Sequence, residues 1–201
     1  MFYYLIIYKK LIEKQYVIIF ALVLLVLFSI CKVYAGDFNK LKAIKAMQKG
    51  DTIIFLRHSK APKIDGNRDI NVNFDDCSTQ RNLNKEGKIQ SLRIGNFFKT
   101  YKISFHKVLS SPFCRCIETA KLANLNYEVS NLASNLKSKD VNKRINEIKK
   151  YIKNEAKGGN IIFVTHFNVG NPITKRKLLS GEMIVMSQAL KFIGSIFIPY
   201  W

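Results

Sequence analysis

The sequence predicts an α/β fold: a three-layer sandwich in which a mostly parallel sheet is covered by helices on both faces. Two observations carry that expectation. Short apolar runs rich in β-branched and aromatic residues recur between stretches of helical periodicity, an alternation that builds parallel sheets. Two of those runs, DTIIFLRHSKAP from Asp51 and GNIIFVTHFNVG from Gly159, also share one pattern: a turn residue, Ile-Ile-Phe, one apolar residue, one polar residue, then a histidine. The chain has three histidines, and this device delivers two of them, His58 and His166.

At 201 residues and 48% hydrophobic, with 4 prolines and 10 glycines, the chain can bury a full core and reads as one domain. Residues 1–35 differ from the rest. Lys9, Lys10 and Lys14 precede the uncharged run YVIIFALVLLVLFSI (Tyr16 to Ile30), and Val33 and Ala35 stand where a signal peptidase reads. The segment is expected to be a cleaved export signal or, alternatively, an uncleaved membrane anchor, although the run is shorter than the roughly 20 residues that span a bilayer. Residues 36–201 then form a domain in the periplasm or outside the cell, and only residues 1–35, if uncleaved, touch a membrane.

Taken in order, DTIIFL is a buried strand. RNLNKEGKIQSLRIGNFFKTY reads as a helix capped by Asn84, with Ile89, Leu92, Phe97 and Tyr101 along one face. HKVLSS is the next strand, and SPFCRCIETAKLA places Ser111 as cap and Pro112 at the first helical position. Glu128 lies in a short strand or its flank. KDVNKRINEIKKYIKNEAK repeats Val141, Ile145, Ile148 and Ile152 at steps of four and three, and Gly158-Gly159 ends it. NIIFVT, GEMIVMS and KFIGSIFI are three further strands. Ligands bind beyond the carboxyl ends of strands in such sheets, which is where His58 and His166 fall.

Cys31 lies in the leading segment, leaving Cys77, Cys114 and Cys116. One residue separates the last two, an awkward spacing for a bridge, so Cys77 with Cys114 is the favoured pair; three reduced thiols are the alternative. No metal-ligand spacing is visible, and no cofactor is expected. Without residues 1–35, which hold four lysines and one glutamate, 29 Lys and Arg face 13 Asp and Glu, a net +16. That balance favours anionic partners. The lysines are scattered and no basic run interleaves with aromatics, so nucleic acid is not expected as a partner.

Arg57 adjoins His58, and Arg115 falls in the first turn of the helix after HKVLSS. Two arginines, two histidines and a helix start at one sheet edge suit a tetrahedral dianion. LRHSKAP, LSSPFCRCIETAKLA and FVTH, in that order, resemble the motifs of the histidine phosphatase superfamily, and DDCSTQRNLNKEGKIQSLRIGNFF resembles the segment after the first motif in exported bacterial members. The resemblance implies a phosphoglycerate mutase-like fold and a metal-independent phosphomonoesterase. His58 would be the nucleophile, and Arg57, Arg115 and His166 would hold the phosphoryl oxygens. For the general acid, Glu182 is the first candidate, then Asp65 or Asp69, then Glu128. Short segments where relatives carry specificity caps imply an open pocket.

Expected substrates are phosphorylated small molecules or an envelope glycan. The alternatives are a catalytically weak phosphate-binding relative and a cationic envelope protein that binds anionic polymer or lipid. His106, at the far end of its strand, is expected to be structural. The departure of FNVGNPITKRKL from the family pattern, with Pro172 where a helix continues, puts the helix beside His166 in question. Intact mass of the exported protein should give a chain beginning at Gly36; a membrane-bound chain retaining Met1 would overturn the cleaved signal.

Overall fold

The computed structural model describes residues 16, 19–26, 38–63, 69, 72–134, 140–155 and 158–201. The chain divides into two units, Met1–Asn39 and Lys40–Trp201. In the first, residues 19–26 are helical, and among the described residues no helix is long and apolar enough to cross a membrane. The expected cleavage segment, residues 33–36, lies outside the described residues.

In the second unit, helix α1 (residues 40–49) precedes β1 (Thr52–Arg57), α2 (Lys85–Thr100), β2 (Phe105–Ser110), α3 (Cys114–Leu122) and β3 (Glu128–Val129). Helix α4 (Val141–Glu155), β4 (Asn160–Thr165), α5 (Phe167–Thr174), β5 (Glu182–Ser187) and β6 (Phe192–Phe197) complete the chain order. One six-stranded sheet has the order β3-β2-β4-β1-β5-β6. Alternation along β1 sends Ile54 and Leu56 into a core with Met47 of α1, Ile94 and Phe98 of α2 and Ala120 of α3, while Ile53 and Phe55 meet Ile148 and Ile152 of α4 and Val169 of α5. The result is three layers. With both faces covered, β1 and β4 can be apolar almost throughout, and Phe55 stacks on Phe163 across the pair at 5.1 Å.

The sheet is mixed where a mostly parallel one was expected. Strands β3, β2, β4 and β1 run parallel, but β5 is antiparallel to β1 and β6 to β5. The length of α5 explains this. Its eight residues span about 12 Å, whereas a six-residue strand spans about 20 Å. After α5 the chain is still at the carboxyl edge, so β5 must start there and run back. Pro172 sits inside α5 without preventing it, and the helix stops two residues later, with Lys175 left-handed at φ 55°.

Two other local expectations are corrected. Ile89 and Leu92 of α2 are exposed; the buried face is Gly87, Gln90, Ser91, Ile94, Phe97 and Phe98. The polar part of that face meets the loop after β1, and a Cβ at Gly87 would collide with the Lys60 carbonyl oxygen. Helix α3 begins at Cys114, with Phe113 rather than Ser111 at the cap position. The Ser111 hydroxyl bonds the His166 ring instead. Asn84 does cap α2, accepting from the Gly87 N–H at 2.9 Å.

At the opposite edge, the buried Asn160 side chain ties three elements together. Its Oδ1 accepts from the Thr52 N–H and hydroxyl at 3.2 and 2.5 Å, and its Nδ2 donates to the Met47 and Ser104 carbonyls at 2.7 and 2.8 Å. Asn160→Ala should therefore lower stability by about 3 kcal/mol, seen as a lower urea midpoint at unchanged m. An unchanged midpoint would show that the amide contributes nothing net.

Candidate active site

Strands β1 and β4 are paired in register, Arg57 opposite Thr165, so the residues just beyond them emerge side by side. The His58 and His166 rings lie 5.3 Å apart, each about 1% exposed. Their hydrogen bonds differ in a way that assigns the protons. His58 Nδ1 is 2.8 Å from the Ser59 carbonyl oxygen. A carbonyl only accepts, so Nδ1 carries the hydrogen and Nε2 is left with a free lone pair. His166 Nδ1 lies 3.5 Å from an Arg115 NH2, which only donates; the hydrogen is therefore on Nε2, which reaches the Ser111 hydroxyl at 2.9 Å.

Three arginines surround the pair. Arg57 donates to the Leu178 carbonyl at 2.9 Å and lies against the Phe167 ring. Arg115, 1% exposed, packs over Phe113 and donates through NH1 to Asp69 Oδ1 at 2.9 Å. The third, Arg81, is one that sequence reasoning missed. Its carbonyl faces the same Arg115 NH1 at 3.4 Å, and its N–H donates to Asp69 Oδ1 at 3.1 Å. A signal was there: only seven of the 33 basic residues are arginine, and three of those seven converge here. All three Nε–H groups are buried without a partner. Unsatisfied guanidinium donors in one place fit an incoming oxyanion.

The electrostatics derive from that concentration of charge. Burial, then Arg115, holds His58 well below its ordinary range, and burial, then His58, does the same for His166. Burial and mutual repulsion also lower Arg57 and Arg81. The Cys116 thiol, 3.5 Å from His166 Nε2, is pushed up to about 12 by burial and stays protonated. No cluster of metal-binding side chains occurs among the described residues.

The structure joins Cys77 to Cys114 and leaves Cys116 free and buried. Of the four acid candidates, only Asp69 is seen among the arginines. Glu182 opens β5, but its Oε2 accepts the Leu179 N–H at 2.8 Å, so the turn before the strand holds the carboxylate. Glu128 is paired with Lys107 on β3, away from the histidines. Asp65 lies outside the described residues. His106 is on β2, against Gly159.

The fold and site together define an α/β protein with a buried arginine and histidine pocket for a tetrahedral oxyanion. Residues 53–133 match the model of the histidine phosphatase superfamily (branch 1). The match contains Arg57, His58, Arg81 and Arg115; His166 joins them through the fold. Similar solved structures include the protein histidine phosphatase SixA complexed with tungstate (15% identity over 74% of this chain and 97% of that one, TM-score 0.52). Another is the product of an open reading frame of Mycobacterium tuberculosis (15% identity, 74% and 96% covered, TM-score 0.54). At these identities the likeness is one of fold. No curated protein matches the sequence significantly.

The depressed imidazoles imply a pH dependence of stability. Folded, both stay neutral well below 6.5; unfolded, they protonate as pH falls through about 6.5. Below that point the unfolded chain binds more protons. Stability should therefore be constant above about 6.5 and fall below it, by up to about 1.4 kcal/mol per pH unit for each histidine. Urea unfolding between pH 5 and 7 should show the slope in the wild type and lose it in the His58→Asn, His166→Asn double variant. A flat wild-type curve would contradict the assignment.

Proposed function

We propose that the protein is a phosphomonoesterase that works through a covalent phosphohistidine at His58. The observation that carries this is the proton assignment: His58 presents a neutral Nε2 lone pair among three guanidinium groups, so a nucleophile and its charge stabilisation coincide. The resemblance of the fold to a histidine phosphatase bound to tungstate, a tetrahedral oxyanion, supports the same reading.

In the first step Nε2 attacks phosphorus in line, the bond to the ester oxygen breaks, and the leaving oxygen takes a proton. Charge spread over the equatorial oxygens is met by the Nε–H donors of Arg57, Arg81 and Arg115. As phosphate enters, its negative charge offsets the burial and the positive surroundings that keep His166 neutral. His166 then takes up a proton on Nδ1 and becomes a further donor. The acid we assign is Asp69, the carboxylate on Arg115, instead of Glu182. Water then attacks phosphorus and passes a proton to the Asp69 carboxylate left by the first step; the P–N bond breaks, releasing inorganic phosphate and restoring His58 and the acid. No step requires a metal.

The compartment we propose lies outside the cytoplasm, with export directed by residues 1–35. The Cys77–Cys114 bridge supports it, since such bonds persist where the surroundings are oxidising. The substrate class is a phosphorylated small molecule or envelope glycan, drawn in by the basic surface.

Rapid quenching with a labelled phosphomonoester should trap acid-labile, base-stable label, and His58→Ala should abolish both label and turnover. Asp69→Asn should slow alkyl phosphates by roughly a hundredfold or more and spare aryl phosphates, whose oxygens leave without help. Glu182→Gln should leave both unchanged. Equal effects of Asp69→Asn on the two ester types would remove Asp69 as the acid while leaving the nucleophile in place.

A further inference from the structure

Arg81 lies in a described segment with little regular structure of its own. Residues 72–84 contain one helical turn, Cys77–Thr79, and residues 73–78 are exposed. Yet its Arg81 carbonyl meets the buried Arg115, and its Arg81 N–H holds Asp69, the carboxylate on the same guanidinium. Phe74 packs against Phe113, Leu83 is buried and the Asn84 N–H meets the Lys60 carbonyl, but beside Arg81 itself two links to α3 stand out. The Cys77–Cys114 bridge attaches it covalently to the first residue of α3, next to Arg115. Beside the bridge, buried Gln80 accepts the Cys114 N–H at 2.9 Å and donates to the Asn73 carbonyl at 2.9 Å, and Asn82 Nδ2 reaches the Cys77 carbonyl at 2.6 Å. Gln80 thus replaces the missing side-chain cap of α3, and Arg81 is the next residue along.

We infer that the Cys77–Cys114 bridge and Gln80 form a clamp that positions Arg81 against Arg115, and that phosphate binding is therefore conditional on oxidation of the bridge. The inference rests on the reading of this pocket as a phosphate site. Cys77 is exposed and Cys114 buried, so a dithiol reductant reaches the Cys77 sulfur first. Its thiolate forms a mixed disulfide with Cys77 and expels Cys114 as a thiolate. The second thiol of the reductant then closes its own disulfide and frees Cys77: two electrons pass to the protein and the reductant is oxidised. The amino end of α3 and the neighbouring guanidinium stabilise the departing Cys114 thiolate. Once the bridge is open, Arg81 loses its one covalent tie to α3 and is left with hydrogen bonds and the packing of Phe74 and Leu83, so its guanidinium regains freedom to turn toward water.

The test is calorimetric titration of the full-length protein with inorganic phosphate, oxidised and after treatment with dithiothreitol, with circular dichroism recorded on both forms. Reduction should weaken phosphate binding by roughly tenfold or more, the loss expected from one charge-assisted hydrogen bond, and raise KM with much less change in kcat. In Arg81→Ala, binding should be weak at the start and reduction should add little, because the clamp acts through that side chain. If reduction unfolds the domain, Gln80→Leu with the bridge intact decides the question: weaker phosphate binding supports the clamp, and unchanged binding removes it. Equal affinity of a folded protein in both redox states, or an undiminished redox effect in Arg81→Ala, overturns the inference and leaves the phosphate site standing. No phosphate binding by the oxidised wild type overturns the site itself.

Discussion

Three guanidinium groups and two imidazoles share one buried pocket, and among the described residues Asp69 is the carboxylate that meets them. Like charges a few ångströms apart repel by a few kcal/mol even at an effective dielectric near 20, on the order of the whole net stability of a domain. The pocket therefore exists only because the rest of the fold enforces it. Its shape is set by backbone that cannot retreat: β1 and β4 are locked between two apolar cores, and the site residues come directly after their ends. Burial first, and then the neighbouring positive charges, keep both imidazoles neutral. The Nε–H groups of all three arginines stand buried without a hydrogen-bond partner.

Around that edge the loops are fastened by side-chain amides. Gln90 of α2 accepts the Lys60 N–H and donates to the Ser180 and Ile198 carbonyls, joining the segment after His58, the approach to β5 and the chain after β6. Gln80 does the equivalent on the other flank. Both are buried polar residues whose hydrogen bonds are spent entirely on loop backbone, so each fixes irregular chain that no ladder could hold. The close contact between α2 and the β1 loop explains why α2 buries Gly87, Gln90 and Ser91 on one face: a larger apolar residue at any of them would push the His58 loop outward.

Legibility in the sequence depends on whether a residue's partner is local. Strands β1 and β4 declared themselves by apolar runs, α2 by Asn84, and α4 by its period, because pattern and cap act within a few residues. Ser111 misled for the opposite reason. In sequence it is a helix cap before a proline; in space His166, 55 residues away, takes its hydroxyl and Gln80 takes over the cap. Glu182 looked well placed beside the site, yet the turn three residues before it claims the carboxylate. Arg81 carried only a compositional signal, the scarcity of arginine among the basic residues, because its partners Asp69 and Arg115 are brought to it by the fold. The antiparallel half of the sheet depends on the length of α5, a quantity that Pro172 alone did not disclose.

The shared grammar of the two strand ends yields two different histidines, and the conformation of the chain after each one decides the difference. After His58 the chain continues in irregular conformation, so the Ser59 carbonyl is free to turn back and fix the proton on Nδ1. After His166 the chain enters α5 at once, with the His166 carbonyl taken by the Val169 and Gly170 N–H groups. Helical carbonyls point along the axis and away from the ring, so none is available to Nδ1. That nitrogen instead faces Arg115, and the proton resides on Nε2 toward Ser111. One histidine thereby offers its lone pair at Nε2 and the other at Nδ1. From two strand ends of one pattern, the fold obtains histidines of opposite tautomer; in the proposed mechanism the first is the nucleophile and the second becomes a donor as negative charge enters.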